Sequence, residues 1–126
     1  MALHILIVDD DADVLPVLVE MLRVSGFIVT AADSGIVMRE ILADKALLPI
    51  DAVILDSAMP GEPSAQLALH AKNLRLPVVM ISGSPEAMKF AEQNHFQLLP
   101  KPFRMAELVD AIGAAVMSGK FGQRDA

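Results

Sequence analysis

The sequence predicts an α/β fold: a three-layer (βα)₅ sandwich of the flavodoxin-like kind, with a parallel five-stranded sheet in the order 2-1-3-4-5. Three observations predict it. Five short apolar runs, Ile5–Val8, Phe27–Thr30, Ala52–Leu55, Val78–Ile81 and Phe96–Leu99, have the Val/Ile-rich character of strands buried on both faces. Longer amphipathic segments separate them, and strict alternation of strand and helix implies parallel strands joined by right-handed crossovers. The third observation is chemical. Polar residues of distinctive type follow the first, third, fourth and fifth runs, where an open parallel sheet collects its function.

The elements follow in order. Ile5–Val8 is followed by Asp9, Asp10 and Asp11. The first helix is expected over Asp11–Val24, with Val14, Leu18 and Leu22 on one face, Leu15 and Val19 widening the stripe, and Gly26 as its stop. Asp11 and Asp13 read as capping and dipole-compensating residues. The second strand ends in Thr30-Ala31-Ala32, which carries no chemistry and suits a sheet edge. Ser34 is expected to cap a helix to about Lys45, and Ser64 one to about Asn73. Ser84-Pro85 reads as an N-cap followed by an N1 proline, opening a fourth helix to about Asn94. The fifth helix is expected over Arg104–Met117, with Met105, Leu108, Val109, Ile112 and Val116 on one side. Residues 1–118 then form one domain and 119–126 a short polar tail.

Composition narrows the function. Hydrophobic residues make up 54% of the 126 and charged residues 21%, enough apolar material for a real core. The net charge of −6 would repel a phosphate backbone, so no nucleic-acid partner is expected. There is no cysteine, hence no disulfide and no thiol chemistry. No apolar run is long enough to cross a bilayer, and the first is preceded by no basic leader, so a cytoplasmic protein without membrane contact is expected. His4, His70 and His95 lack metal-ligand spacing. The eight methionines suit core filling better than a binding surface.

In the 2-1-3-4-5 order the four strands with polar endings are contiguous, so Asp9, Asp10, Asp56, Ser82 and Lys101 converge on one pocket. Carboxylates from two strand ends repel one another unless a hard divalent cation sits among them, and a small cluster with few ligands points to Mg²⁺. One carboxylate could then act as a nucleophile. Lys101 supplies positive charge, Ser82 a hydroxyl, and Gly83 open space beside it. Carboxylate, metal, ammonium and hydroxyl together are what phosphoryl transfer to an aspartate requires. Taken singly, each residue has a plainer reading: Asp56 and Ser82 as turn formers, Lys101 as a solvated surface charge. Their joint placement makes coincidence about a one-in-twenty matter.

Over about residues 3 to 118 the sequence resembles the receiver (CheY-like) domain of two-component response regulators, of the stand-alone single-domain type. The resemblance rests on Ile5-Leu-Ile-Val-Asp9-Asp10, on Asp51-Ala-Val-Ile-Leu-Asp56 with Met59-Pro60-Gly61, on Val78-Val-Met-Ile-Ser82-Gly83 and on Leu99-Pro-Lys101-Pro102-Phe103. It implies that Asp56 accepts a phosphoryl group from a sensor histidine kinase or a histidine phosphotransfer protein. Asp10, Asp56 and the backbone carbonyl of Ala58 would ligate Mg²⁺, Asp9 would hold metal-bound water, and Ser82 and Lys101 would contact the phosphoryl group. The Lys101–Pro102 bond would be cis. The domain would catalyse its own phosphorylation and slow dephosphorylation, with no metabolic substrate, as a monomer or weak dimer.

The sequence departs from the family pattern in three places. Leu98 occupies the position of the usual aromatic, the loop after Gly61 reads Glu62-Pro63-Ser64, and the stretch from Ser82 to Lys101 is shorter by about one helical turn. Output is therefore expected through the fourth helix, fifth strand and fifth helix to an unidentified partner, without an aromatic switch. With only a tail after the last helix, no attached DNA-binding domain is expected. A phosphorylation-independent interaction module, a phosphate sink or relay, and a fragment of a hybrid kinase stand as alternatives. A hydrolase with an aspartate nucleophile would want a second acid two residues after Asp56, where Ala58 stands. A flavin carrier would want an uncharged phosphate loop after the first strand, and a nucleotide hydrolase a Gly-rich loop ending in Lys-Ser or Lys-Thr.

Overall fold

Apolar residues on both sides of each strand require cover on both sides, and the computed structural model, which describes residues 2–122, shows how that is met. The element order is β1 (His4–Val8), α1 (Val14–Val24), β2 (Ile28–Ala32), α2 (Gly35–Ala43), β3 (Ala52–Asp56), α3 (Ser64–Asn73), β4 (Val78–Ser82), α4 (Pro85–Gln93), β5 (Gln97–Pro100) and α5 (Met105–Gly122). The sheet is parallel in the order β2-β1-β3-β4-β5, as the sequence predicts.

Strand periodicity of two sorts the core into two layers. Ile5, Ile7, Ile54, Val79 and Ile81 face α1 and α5, where they meet Leu18, Leu22, Leu108 and Ile112. Leu6, Val8, Val53, Leu55, Val78 and Met80 face the other way, toward Met38, Leu67, Ala68, Ala71 and Ala91 from α2, α3 and α4. The strands β1, β3 and β4 are buried along their whole length, so truncating a residue such as Ile54 to alanine is expected to cost about 2–5 kcal/mol. Edge strand β2 is only partly covered, with Val29 and Ala32 buried in opposite layers, Thr30 half-buried and Ile28 and Ala31 exposed.

Several boundaries differ from expectation. β2 starts after Phe27, whose amide donates to Leu22 O at the end of α1, and runs on through Ala32, whose pairing with Val8 extends the ladder. β5 likewise starts after Phe96 and takes in Pro100, paired with Ser82. α1 begins at Val14 because Asp11 is occupied in capping: its Oδ1 accepts from the amides of Asp13 (2.9 Å) and Val14 (3.2 Å). Asp13 itself makes no capping bond. Ser34 and Ser84 cap α2 and α4 as expected, accepting from Val37 N and Ala87 N. α5 continues past Met117 to Gly122, since one helix-interior glycine costs only about 1 kcal/mol. Residues 119–122 of the expected tail thus belong to this helix, and 123–126 lie outside the described residues.

His4, given no role from sequence, is a buried tie at the far end of the sheet. Its Nε2 meets Thr30 Oγ1 at 2.7 Å, its Nδ1 meets Leu48 O at 3.0 Å, and its backbone amide donates to Asp51 Oδ2. Gly26, at φ +101°, supplies the left-handed turn that separates α1 from β2.

Candidate functional site

The carboxyl ends of β1, β3, β4 and β5 do converge. β3 ends in Asp56, 5% exposed at the centre of the sheet, and β1 runs straight into Asp9, equally buried, and the exposed Asp10. One carboxylate oxygen from each of Asp9, Asp10 and Asp56 lies within 4.8 Å of the others. Asp9 Oδ1 accepts from the amide of Asp11 at 3.0 Å, so Asp9 fixes the turn in which Asp11 then starts α1. Asp56 Oδ1 accepts from the amide of Ala58 and from Lys101 Nζ, each at 3.2 Å. Lys101 leaves β5 with its backbone amide donating a hydrogen bond to Ser82 O, and the peptide between Lys101 and Pro102 is cis, as expected.

Burial pushes the Asp9 carboxyl above its ordinary value; the Asp11 amide opposes this, and the neighbouring Asp56 adds to it. A buried acid beside a second buried acid is a site that gains from a cation. Asp9, Asp10 and Asp56 therefore fit a hard divalent ion: three oxygen donors of like charge gathered at one point, and, among the described residues, only one ammonium, Lys101, hydrogen-bonded to them. The exposed loop that follows β3 carries Ala58 beside this cluster, its amide already turned to Asp56.

A cavity of about 560 Å³ opens beside the cluster. Its polar end is Asp9, Asp56 and Lys101, and its walls are Val14, Leu18, Ile81 and Phe103. Ser82 is 1% exposed, and its Oγ accepts from the Ser84 amide at 2.9 Å, which leaves the hydroxyl hydrogen free to donate. Among the described residues its side chain makes no hydrogen bond to Asp56 or Lys101. A Cβ added at Gly83 would meet nothing within 4 Å, so the space beside Ser82 is open.

Two supporting contacts escape sequence reasoning. Ser64 is not the cap of α3; Pro63 holds that position, and the buried Ser64 hydroxyl donates instead to the carbonyl of Asp56 at 2.9 Å. Arg39 of α2 grips Glu62 in the loop after β3 through two parallel bonds, Nε to Oε1 at 2.8 Å and Nη2 to Oε2. Nothing in the spacing of Arg39 and Glu62 announces this pair; only the packing of α2 beside that loop creates it.

A parallel 2-1-3-4-5 sheet with three acids, a lysine and a buried serine at its carboxyl edge defines a class of phosphate-handling switch domain. Residues 5–113 match the family model described as the response regulator receiver domain, and the chain belongs to that family. It is a receiver domain of a two-component system, a phosphorylation-controlled signalling switch. The chain is 34% identical over 122 residues to the DNA-binding transcriptional regulator NtrC of Rhizobium meliloti, covering 92% of this chain and 24% of that protein. It is 36% identical over 116 residues to the transcriptional regulatory protein PrrA of Mycobacterium leprae, covering 88% of this chain and 48% of the relative. The chain thus spans about half or less of these curated relatives. A response regulator receiver protein from Sinorhizobium medicae superposes with a TM-score of 0.80 at 32% identity, over 94% of this chain and 97% of that one. A receiver domain protein from Clostridium thermocellum shares the fold with a TM-score of 0.84 at 24% identity, over 94% of this chain and 98% of that one.

Proposed function

We propose that this receiver domain takes a phosphoryl group onto Asp56 from the phosphohistidine of a sensor kinase or phosphotransfer protein. The observation that carries the reading is the hydrogen-bonded contact between Lys101 and the buried Asp56 within a cluster of three carboxylates. In the transfer one P–N bond breaks and one P–O bond forms, and the donor imidazole leaves with its electron pair. Asp56 is the nucleophile, held by the Ala58 amide so that one oxygen is fixed. Lys101 supplies the charge that offsets the incoming phosphoryl oxygens, and the Ser82 hydroxyl donates to one of them. Mg²⁺ would be held by Asp10, Asp56 and the Ala58 carbonyl, with Asp9 on its water; bound there, it neutralises the carboxylates and the phosphoryl oxygens. Autodephosphorylation is slow, and the openness around Ala58 and Gly83 leaves the phosphoryl group poorly shielded from the water it needs.

The signal is read by a protein partner at α4, β5 and α5, because Ser82 and Lys101 end the strands that flank α4. The apolar band of α4 is largely used in packing: Ala91 is buried, Met88 and Phe90 are half-buried, and the Phe90 and Phe96 rings lie 5.9 Å apart. Leu98 packs into the same cluster, paired with Met80. On α5, Ala106, Gly113 and Ala114 are exposed and leave room for close approach. No helix among the described residues is long and apolar enough to cross a membrane. Mass spectrometry after incubation with acetyl phosphate and Mg²⁺ tests the reading: a gain of one phosphoryl group is expected, and an unmodified protein would favour a phosphorylation-independent interaction module. Hydrogen exchange with beryllofluoride tests the output face, with changes expected between Pro85 and Ala114.

A further inference from the structure

The loop from Ser57 to Pro63 is pinned at both ends. The Ser57 amide donates to Ile81 O at 2.9 Å, tying the exit of β3 to β4, and the Ser64 hydroxyl donates to Asp56 O at the entrance of α3. Between these ties the loop is open to solvent at Ala58, Pro60 and Gly61, with Gly61 in the left-handed region at φ +87°. Asp56 Oδ1 accepts the Ala58 amide at 3.2 Å, and among the described residues two side chains of the loop itself anchor its middle part. Met59 rests on the core layer beneath α2 and α3, and Glu62 is gripped by Arg39. Arg39 has no competing ion pair among the described residues.

We infer that Arg39 and Glu62 are positioning residues that clamp the loop carrying Ala58, and thereby set the height of the Ala58 carbonyl beside the Asp9–Asp10–Asp56 cluster. This rests on the proposed metal-binding role of that carbonyl. The reason for a clamp is geometric. A backbone carbonyl cannot change rotamer to meet an ion, so its position is that of its loop. A planar guanidinium on a carboxylate fixes two atoms and hence an orientation, which an ammonium would not. Arg39 stands on α2, whose Met38 is fully buried, so the clamp is anchored in the core rather than in another loop. The pair holds the Glu62 carboxyl below its ordinary value, by the Arg39 hydrogen bond first, so the fork is charged at neutral pH. Being half-exposed, it contributes little to global stability. Its effect is confined to the loop.

The test compares wild type with Arg39→Gln, Arg39→Lys and the exchanged pair Arg39→Glu/Glu62→Arg, in the full chain. The first readout is amide hydrogen exchange in metal-free protein. Arg39→Gln is expected to speed exchange of the amides at 58–62 while leaving β1, β3 and β4 unchanged, with Arg39→Lys intermediate and the exchanged pair restored. The second is the Mg²⁺ midpoint from calorimetry, expected to weaken about two- to fivefold in Arg39→Gln, the range of an exposed ion pair. Unaltered exchange at 58–62 overturns the clamp. A wild type that binds no Mg²⁺ overturns the metal reading instead, while the exchange data still decide the clamp. Faster exchange with an unchanged midpoint shows a clamp that does not set the carbonyl, which also overturns the inference.

Discussion

Lys101 Nζ stands 3.2 Å from Asp56 Oδ1 although their strands are not neighbours, β4 lying between β3 and β5. The contact spans the end of β4, where Ser82 stands, and in the proposed function this is where the incoming phosphoryl group is received. Lys101 is the only ammonium hydrogen-bonded to the acidic cluster among the described residues. Replacing it with alanine is expected to weaken beryllofluoride binding about ten- to hundredfold, since a hydrogen bond to a charged group is worth about 1.5–3 kcal/mol. Titration followed by NMR would show it.

Asp9 makes the metal-free site pH-sensitive. Burial raises its folded carboxyl above the ordinary 3.8, so between that value and the folded one the native state holds a proton that the unfolded chain has lost. Stability therefore falls as pH rises through this window and stays reduced above it. Asp9→Asn is expected to raise the melting temperature of metal-free protein at pH 7, with the gain shrinking as pH falls through that window and absent below the ordinary carboxylate value. Thermal melts in chelator across that range measure it.

The gathering of the Asp9, Asp10 and Asp56 carboxylates predicts stabilisation by Mg²⁺. A ligand that binds only the folded state at a hundred times its Kd adds about 2.7 kcal/mol. The melting temperature is expected to rise in millimolar Mg²⁺, and the rise largely to vanish in Asp10→Ala. Asp10 is exposed, so the substitution leaves the core untouched. The chain has no Trp, which makes calorimetry or dye melting the suitable measurement.

How much of this was legible in the sequence divides along physical lines. The five runs were readable because central parallel strands need apolar residues at every position, and Ile5 and Leu6 satisfy opposite core layers at once. The site was readable because Asp9, Asp56, Ser82 and Lys101 are polar residues placed where such runs stop. Val14 misled: it fits the apolar stripe of α1 by spacing, yet it is 41% exposed, because it opens the helix and lines the cavity rather than the core. Ser64 misled for a related reason. A serine before a helix caps by default, but the carbonyl of Asp56 lies within reach and takes its hydrogen. The Arg39–Glu62 pair depends on which elements pack together, which local pattern does not encode.

Ala58 and Ser84 are small and follow the ends of β3 and β4. In the proposed function, a larger side chain at Ala58 would stand at the mouth of the site, where it could block or position the attacking water. Ala58→Arg or Ala58→Met is expected to change the dephosphorylation rate several-fold without abolishing labelling. The decay of radiolabelled protein after donor removal reads this directly, and an unchanged rate would argue that the residue faces away from the site.

The account turns on Asp56 as the sole acceptor, the buried carboxylate that ends the central strand and meets Lys101. Wild type and Asp56→Asn should be incubated side by side with acetyl phosphate and Mg²⁺, and the phosphorylated fraction read by intact-protein mass spectrometry. Asparagine keeps the shape and the Ala58 hydrogen bond but lacks the nucleophilic oxygen. The account predicts one phosphoryl group on the wild type and none on Asp56→Asn; equal labelling of the two proteins would contradict it.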